Sequence, residues 1–115
     1  MAHDSSIAAA AILDTWVRHT WADGVQIESM PDFCKIEVQT RNTTYEITVI
    51  DGPAREVTVR GGRFFPETTA ARLAGSSLGS SFLKVGGIYP GFNLEICAGG
   101  STIMTTSVQS IRINS

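Results

Sequence analysis

The sequence is poor in the residue types from which metal and redox centres are built. Its 115 residues include two histidines, His3 and His19, and two cysteines, Cys34 and Cys97, and it has no C-x-x-C motif. Zinc sites use closely spaced cysteine and histidine ligands, and that spacing is missing here. We therefore predict no metal and no cofactor. We expect both cysteines to be free, buried and inert, because disulfides are rare in a reducing compartment.

Charge is also scarce. Charged residues make up 17% of the chain and the net charge is -2, whereas ordinary domains carry about 25% charged residues and nucleic-acid-binding domains carry a basic excess. No apolar run reaches the roughly 18 residues of a membrane-spanning helix. No Lys or Arg precedes the short run Ile7–Leu13, as it would in a secretory signal. We expect a cytoplasmic protein that binds neither nucleic acid nor membrane.

The common catalytic signatures are missing or incomplete. The chain has no phosphate loop, no dinucleotide-binding glycine motif, no H-E-x-x-H and no EF-hand loop. Residues 75–79 match G-x-S-x-G, but a serine hydrolase of that type needs a histidine further along the chain, and none follows Ser77. We therefore favour a protein without catalytic activity. An enzyme of another type stays the alternative, which a displaced pKa inside a cleft would support.

The first pattern that is present is helical. Residues 5–22 begin with good N-cap residues, continue with four alanines at 8–11, and end before Gly24, a suitable C-cap. Apolar residues recur at helical spacing and form one stripe: Ile12, Leu13, Trp16, Val17 and Thr20. The pattern predicts an N-terminal helix over residues 5–22 that covers an open face or one end of a sheet.

From Val25 onward the apolar period changes to two, which is typical of strands with one buried face. Alternation over 34–60, interrupted by short turn signals, predicts a three-stranded antiparallel meander. Glycine-rich turns separate further predicted strands at 70–74, 81–85, 92–97, 102–106 and 108–113. The sequence thus predicts one domain, residues 1–115, that is mostly β. It is a small antiparallel β-barrel or sandwich of about seven or eight strands over residues 25–115, with one N-terminal helix.

Residues 55–72 are the clearest candidate for an anion site. They contain the aromatic pair Phe64-Phe65 and only two acids, against four arginines: Arg55, Arg60, Arg63 and Arg72. Arginine binds phosphate through parallel hydrogen bonds, and aromatic rings stack on bases. The alternative is that both phenylalanines lie in the core and the arginines lie on a solvated strand face.

Residues 74–96 resemble the central hairpin of PilZ domains. The shared features are a Ser-x-x-Gly turn, a strand, a glycine and a second strand, here Ser76–Ser80, Phe82-Leu83, Gly91 and Leu94-Glu95-Ile96. The chain departs from the family at Ala74, where the family has Asp or Asn, and no two of its arginines are four residues apart.

The resemblance implies a small β-barrel that binds cyclic di-GMP. Ser76 and Gly79 carry over as ligand-binding residues, and Arg60 and Arg63 would substitute for the family's arginine pair. We expect this set of four residues to be the ligand site if the protein is a sensor.

Aromatic residues provide candidate interface anchors, because aromatic side chains dominate binding energy at interfaces. Two lie in the predicted helix and two in a Tyr-Pro-Gly-Phe turn that we expect to be exposed: Trp16, Trp21, Tyr89 and Phe92. Our first hypothesis is a non-enzymatic binding or scaffolding domain whose partner is a protein or another copy of the chain. The second is a sensor of a small anionic, phosphate-bearing ligand such as a cyclic dinucleotide.

Overall fold

The computed structural model of the protein describes residues 23–78 and 82–114. These residues form an antiparallel β-protein, which confirms the predicted class. The helix predicted over residues 5–22 lies outside the described residues. The described elements are β1 (Val25–Gln26), a turn of 3-10 helix (Ile27–Ser29), β2 (Lys35–Thr40), β3 (Thr44–Asp51), β4 (Glu56–Gly61), β5 (Phe65–Ser77), β6 (Leu83–Val85), β7 (Gly87–Ile88), β8 (Asn93–Ala98) and β9 (Ser101–Asn114).

Hydrogen bonds between strands close the main sheet into a ring. β2, β3, β4 and β5 pair in sequence, β5 pairs with β8, β8 with β9, and β9 returns to β2. The fold is therefore a six-stranded antiparallel barrel, and the sandwich alternative is excluded. β6 adds to β5 beyond the part that pairs with β4, and β1 and β7 form a separate two-stranded ribbon.

The meander predicted over residues 34–60 is confirmed as β2, β3 and β4. In these strands every second side chain is buried, because the pleat sends successive residues to opposite faces. The buried hydrophobic side chains of these strands are Ile36, Val38, Tyr45, Ile47, Val49, Val57 and Val59. The clean alternation in the sequence thus marks the barrel wall correctly.

The second half follows the prediction less closely. The predicted strand at 70–74 is part of the longer β5, and the one at 92–97 corresponds to β8. The two strands predicted at 102–106 and 108–113 are a single strand, β9, so that division was wrong. Register shifts in the pairing of β9 with β8 and with β2 mark bulges, which bend β9 and let it pass from one neighbour to the other without a turn.

The barrel interior is filled mainly by aliphatic side chains, with Phe65 and Tyr45 in edge-to-face contact at a ring separation of 6.4 Å. The segment around the 3-10 turn packs on this core, since Ile27 is fully buried. Gly52 lies against that segment so closely that a Cβ atom there would come within 2.8 Å of the Ile27 carbonyl oxygen. The turn after β3 therefore has no room for a larger residue at this position.

Both cysteines are free, as predicted. Cys34 is buried as expected, but Cys97 is only half-buried. Across residues 23–78 and 82–114, no helix has the length and apolar character needed to cross a membrane.

Candidate functional site

The residues predicted to bind an anion do not share one cleft. Arg60 on β4 lines a cleft of about 210 Å³ on the outer wall with Lys35, Glu37 and Glu46, which we call the Arg60 cleft. Arg63, in the β4–β5 turn, lines a separate cleft of about 420 Å³ with Phe64, which we call the Arg63 cleft. Ser76 lines neither of these clefts. Gly79 lies outside the described residues.

Ser76 is fully buried, and its hydroxyl group already has two hydrogen bonds. The hydroxyl donates to the carbonyl oxygen of Gly87 at 2.8 Å and accepts from the backbone N–H of Tyr89 at 3.1 Å. These bonds fasten β5 to β7 and to the residue that follows it. The arrangement gives Ser76 a structural role, because a ligand could reach its hydroxyl only by displacing backbone groups.

The aromatic turn predicted to be exposed is buried instead. Tyr89 and Phe92 are each 4% exposed. The turn is hydrogen-bonded to β9, since the N–H of Gly91 donates to the carbonyl of Val108 at 2.8 Å and the N–H of Val108 donates to the carbonyl of Phe92 at 2.8 Å. The prediction that this turn is exposed was therefore wrong, and the interface role of Tyr89 and Phe92 stays a prediction. Trp16 and Trp21 lie outside the described residues.

Tyr89 is the titratable group with a displaced pKa in the described part of the chain. Burial raises the pKa of its phenol above the ordinary value of 10.0, and the carboxylates of Glu28 and Asp23 raise it further. A phenol with this environment stays protonated at neutral pH and is a poor base or nucleophile. Tyr89 also lies outside the clefts described in this section, so it does not support the enzyme alternative.

Four charged residues face one another in a row across the outer wall. The strand register places Glu37 opposite both Arg112 and Glu46, and it places Glu46 opposite Arg60. Side chains that oppose each other directly have Cβ atoms about 4.5–5.5 Å apart. Each glutamate thus has an arginine neighbour, and the Arg60 cleft is a surface of mixed charge. In the part of the chain that the structure describes, no three His, Cys, Asp or Glu side chains are grouped to hold a metal ion.

A third depression, of about 630 Å³, crosses β3, β4, β5 and β8 on the outer wall. We call it the Ile50 groove. Its charged members are Glu56 and Arg72, which oppose each other in the register of β4 and β5. Most of the remaining lining is small or aliphatic: Ile50, Ala54, Val57, Ala70, Ala71, Cys97, Ala98 and Gly99.

Phe33 precedes β2 and is 72% exposed, the largest value for a large apolar side chain among the described residues. Its backbone N–H donates to the carbonyl of Val49 at 2.6 Å, one residue before Ile50. Its φ angle is +65°, in a turn closed by a 3.2 Å bond from the Cys34 N–H to the Pro31 carbonyl. Glycine or asparagine is usual at this turn position, because other residues are strained at positive φ.

Two features of Phe33 therefore reduce the stability of the folded chain. The left-handed backbone costs about 1–2 kcal/mol in an ordinary residue, and an exposed ring forgoes the roughly 1.5–3 kcal/mol that burial would contribute. Arg55 also has a positive φ, of 58°, but its side chain is half-buried and its carbonyl accepts a 2.9 Å bond from the Leu73 N–H. Phe33 has no such burial to offset its strain, and an unexplained outlier of this kind points to a function.

The remaining aromatic pair divides between core and surface. Phe65 is buried in the core, as the structural interpretation of the basic stretch expected, but Phe64 is 56% exposed. Sequence reasoning missed both Phe33 and the Ile50 groove. The one local signal was the Pro31-Asp32 turn pattern followed by phenylalanine in place of glycine.

Comparisons with known protein families, with curated proteins and with solved structures find no match to this chain. The resemblance to PilZ domains therefore stays a prediction.

Proposed function

We propose that this protein is a non-enzymatic scaffolding domain that acts by self-association, with Phe33 of each copy inserted in the Ile50 groove of the other. The observation that carries the proposal is the strained and exposed Phe33, whose backbone is hydrogen-bonded to Val49, the residue before Ile50 of the apolar groove. An exposed ring and an apolar hollow on one chain can fit each other when two copies meet. Such an arrangement favours a two-fold dimer, in which the same patch serves both copies.

The lining of the groove supports this occupant. Because alanine has a small side chain and glycine has none, another molecule can approach these strands closely. The groove also contains few charges, and the buried centre of an interface is usually depleted in charge. The two charged residues in the groove, Glu56 and Arg72, have opposite sign and lie on the adjacent strands β4 and β5. A two-fold arrangement can place Glu56 of one copy against Arg72 of the other, and the reciprocal contact follows by symmetry.

Self-association is tested by sedimentation equilibrium, which measures the solution mass over a concentration range of about 1 µM to 1 mM. We expect the wild-type mass to rise towards twice that of the chain, and Ala70→Arg to remain monomeric because a long charged side chain then occupies the groove. Ser110→Arg adds the same side chain at another exposed strand position outside the groove and should dimerise normally. A wild-type chain that is monomeric throughout this range would refute self-association and direct the search to a different protein partner.

A further inference from the structure

We infer that the Arg63 cleft binds a small aromatic anion of the nucleoside monophosphate class, independently of the self-association proposed above. The cleft lies where the β2–β3 turn, the β4–β5 turn and the first half of β9 meet. Its volume of about 420 Å³ lies in the range of small-molecule sites. None of the residues named so far as interface candidates for the Ile50 groove belongs to it.

The segments that surround the cleft contain arginine. The three segments that meet here, residues 40–45, 61–66 and 101–110, contain two arginines, Arg41 and Arg63, and no acid. The nearest acid along the chain on the β3 side is Glu46, whose side chain lines the Arg60 cleft instead. Arg63 is the one charged residue among the described residues that line this cleft, while an acid, Glu95, lies opposite Met104 in the register of β8 and β9. Arg63 can hold a phosphate group through two parallel hydrogen bonds.

An aromatic ring stands next to the charge of Arg63 in the chain. Phe64 follows Arg63 in the turn, is more than half exposed, and lines the cleft together with the side chain of Met104. Stacking on an aromatic side chain is available to every nucleobase, since every base has a π-face. The cationic and aromatic groups therefore stand at one site in adjacent residues, as a base linked to a phosphate requires.

The walls of the cleft are closely packed. The two turns pack so tightly that a Cβ atom at Gly62, where φ is +63°, would come within 2.9 Å of the Thr43 Cγ2 atom. Tyr45 lines the floor and is fixed from behind by its edge-to-face contact with Phe65. A preorganised cleft loses less conformational entropy on binding than a mobile loop does.

Hydrogen-bonding groups also line the cleft. Asn42, Thr43 and Thr106 line the cleft with an amide and two hydroxyl groups that can bind a ribose or a base edge. Thr105 is excluded from this role, because its hydroxyl accepts from the Leu94 N–H at 3.0 Å and donates to the Thr106 carbonyl at 2.7 Å. The site thus combines one cation, one free ring face and a few polar groups, which is the usual composition of a small-ligand pocket.

The experiment is a titration by isothermal calorimetry of the full chain with AMP, GMP, CMP and UMP, and with adenosine and inorganic phosphate as partial ligands. We expect saturable binding of at least one nucleotide with a dissociation constant of about 1 mM or tighter. Adenosine and phosphate should each bind more weakly than AMP, because each satisfies only half of the site. If none of the four nucleotides binds in this range, or if a partial ligand binds as tightly as its nucleotide, the inference is wrong.

Two variants locate the site. Arg63→Ala should weaken nucleotide binding by roughly tenfold or more, which is the usual effect of losing a charge-assisted hydrogen bond. Arg60→Ala is the matched control, because Arg60 is an exposed arginine on the same hairpin that lines the other cleft. Both variants should keep the wild-type melting temperature. Equal weakening by the two variants would indicate unspecific attraction of anions and overturn the assignment to the Arg63 cleft.

Discussion

The backbone nitrogen of Phe33 lies 2.6 Å from the carbonyl oxygen of Val49, and this hydrogen bond fixes the turn that carries an exposed phenyl ring next to the strand that holds Ile50. The ring is therefore presented by an ordered turn and needs little further ordering on binding. Preorganised anchors of this kind increase affinity, because less conformational entropy is lost on association. The relationship connects a local backbone strain to the proposed self-association.

Charge reversal tests the two-fold arrangement at the groove. Glu56→Arg and Arg72→Glu should each be monomeric, because each places like charges together in both symmetric contacts of the dimer. An equimolar mixture of the two variants should recover a heterodimer, in which each contact again joins opposite charges. Sedimentation of the separate and mixed variants makes the measurement. Since charge pairing within a chain is not changed by mixing, a mixture that stays monomeric would argue against this contact.

The two thiols should differ in reactivity. Cys34 is buried, and Cys97 is half-buried in the Ile50 groove. A disulfide reagent that releases a coloured thiolate should therefore modify Cys97 in the folded protein and both cysteines after denaturation. Because the proposed dimer covers the groove, the rate at Cys97 should fall as the protein concentration rises. Cys97→Ser serves as the control and should remove the fast reaction. A rate that does not depend on concentration would count against a covered groove.

Tyr89 should make the fold sensitive to alkali. Its pKa is raised in the folded protein by burial and by Glu28 and Asp23, whereas the unfolded chain titrates near 10.0. The stabilising effect is therefore complete below pH 10.0 and is lost as the pH rises towards the folded-state pKa. Tyr89→Phe should reduce the loss of unfolding free energy above pH 10.0, as followed by urea denaturation at several pH values. An unchanged alkaline slope in this variant would contradict the assignment.

Ser76 should contribute to stability and not to ligand binding. Ser76→Ala removes the partner of the Gly87 carbonyl and of the Tyr89 N–H, which are bonded to the hydroxyl in the barrel interior. Leaving buried polar groups unpaired costs about 1–3 kcal/mol, and this loss should appear in urea denaturation. Ser110→Ala, at an exposed position, should change stability by no more than about 0.5 kcal/mol. A stable Ser76→Ala variant that had lost phosphate-ligand binding would instead favour the role implied by the PilZ resemblance.

The barrel wall could be predicted because its signals are local. In β2, β3 and β4 one face is buried and the other solvated, so apolar and polar residues alternate along each strand. The facing of Glu37 and Glu46 also follows from a short hairpin of known register. β9 was divided wrongly because its bulges shift the period at the position where a turn would also interrupt it.

The candidate sites could not be predicted in the same way, because burial of a loop is decided by distant residues. Tyr89 and Phe92 resemble an exposed turn in sequence, but hydrogen bonds to Val108 hold that turn against β9. Arg60 and Arg63 are three residues apart, but the turn at Gly61-Gly62 directs them to different clefts. The Ile50 groove joins residues from four strands and has no signature in any one of them.

The substitution Phe33→Gly shows whether the exposed ring drives self-association, because it removes the ring and relieves the backbone strain in one change. Glycine adopts positive φ without strain, so at concentrations where the chain is monomeric the variant should be more stable by about 0.5–1 kcal/mol. The same variant should fail to dimerise when its mass is measured by sedimentation equilibrium beside the wild type. Phe64→Gly, which removes the exposed ring of the other turn, should dimerise normally. A Phe33→Gly variant that dimerises like the wild type would contradict the account.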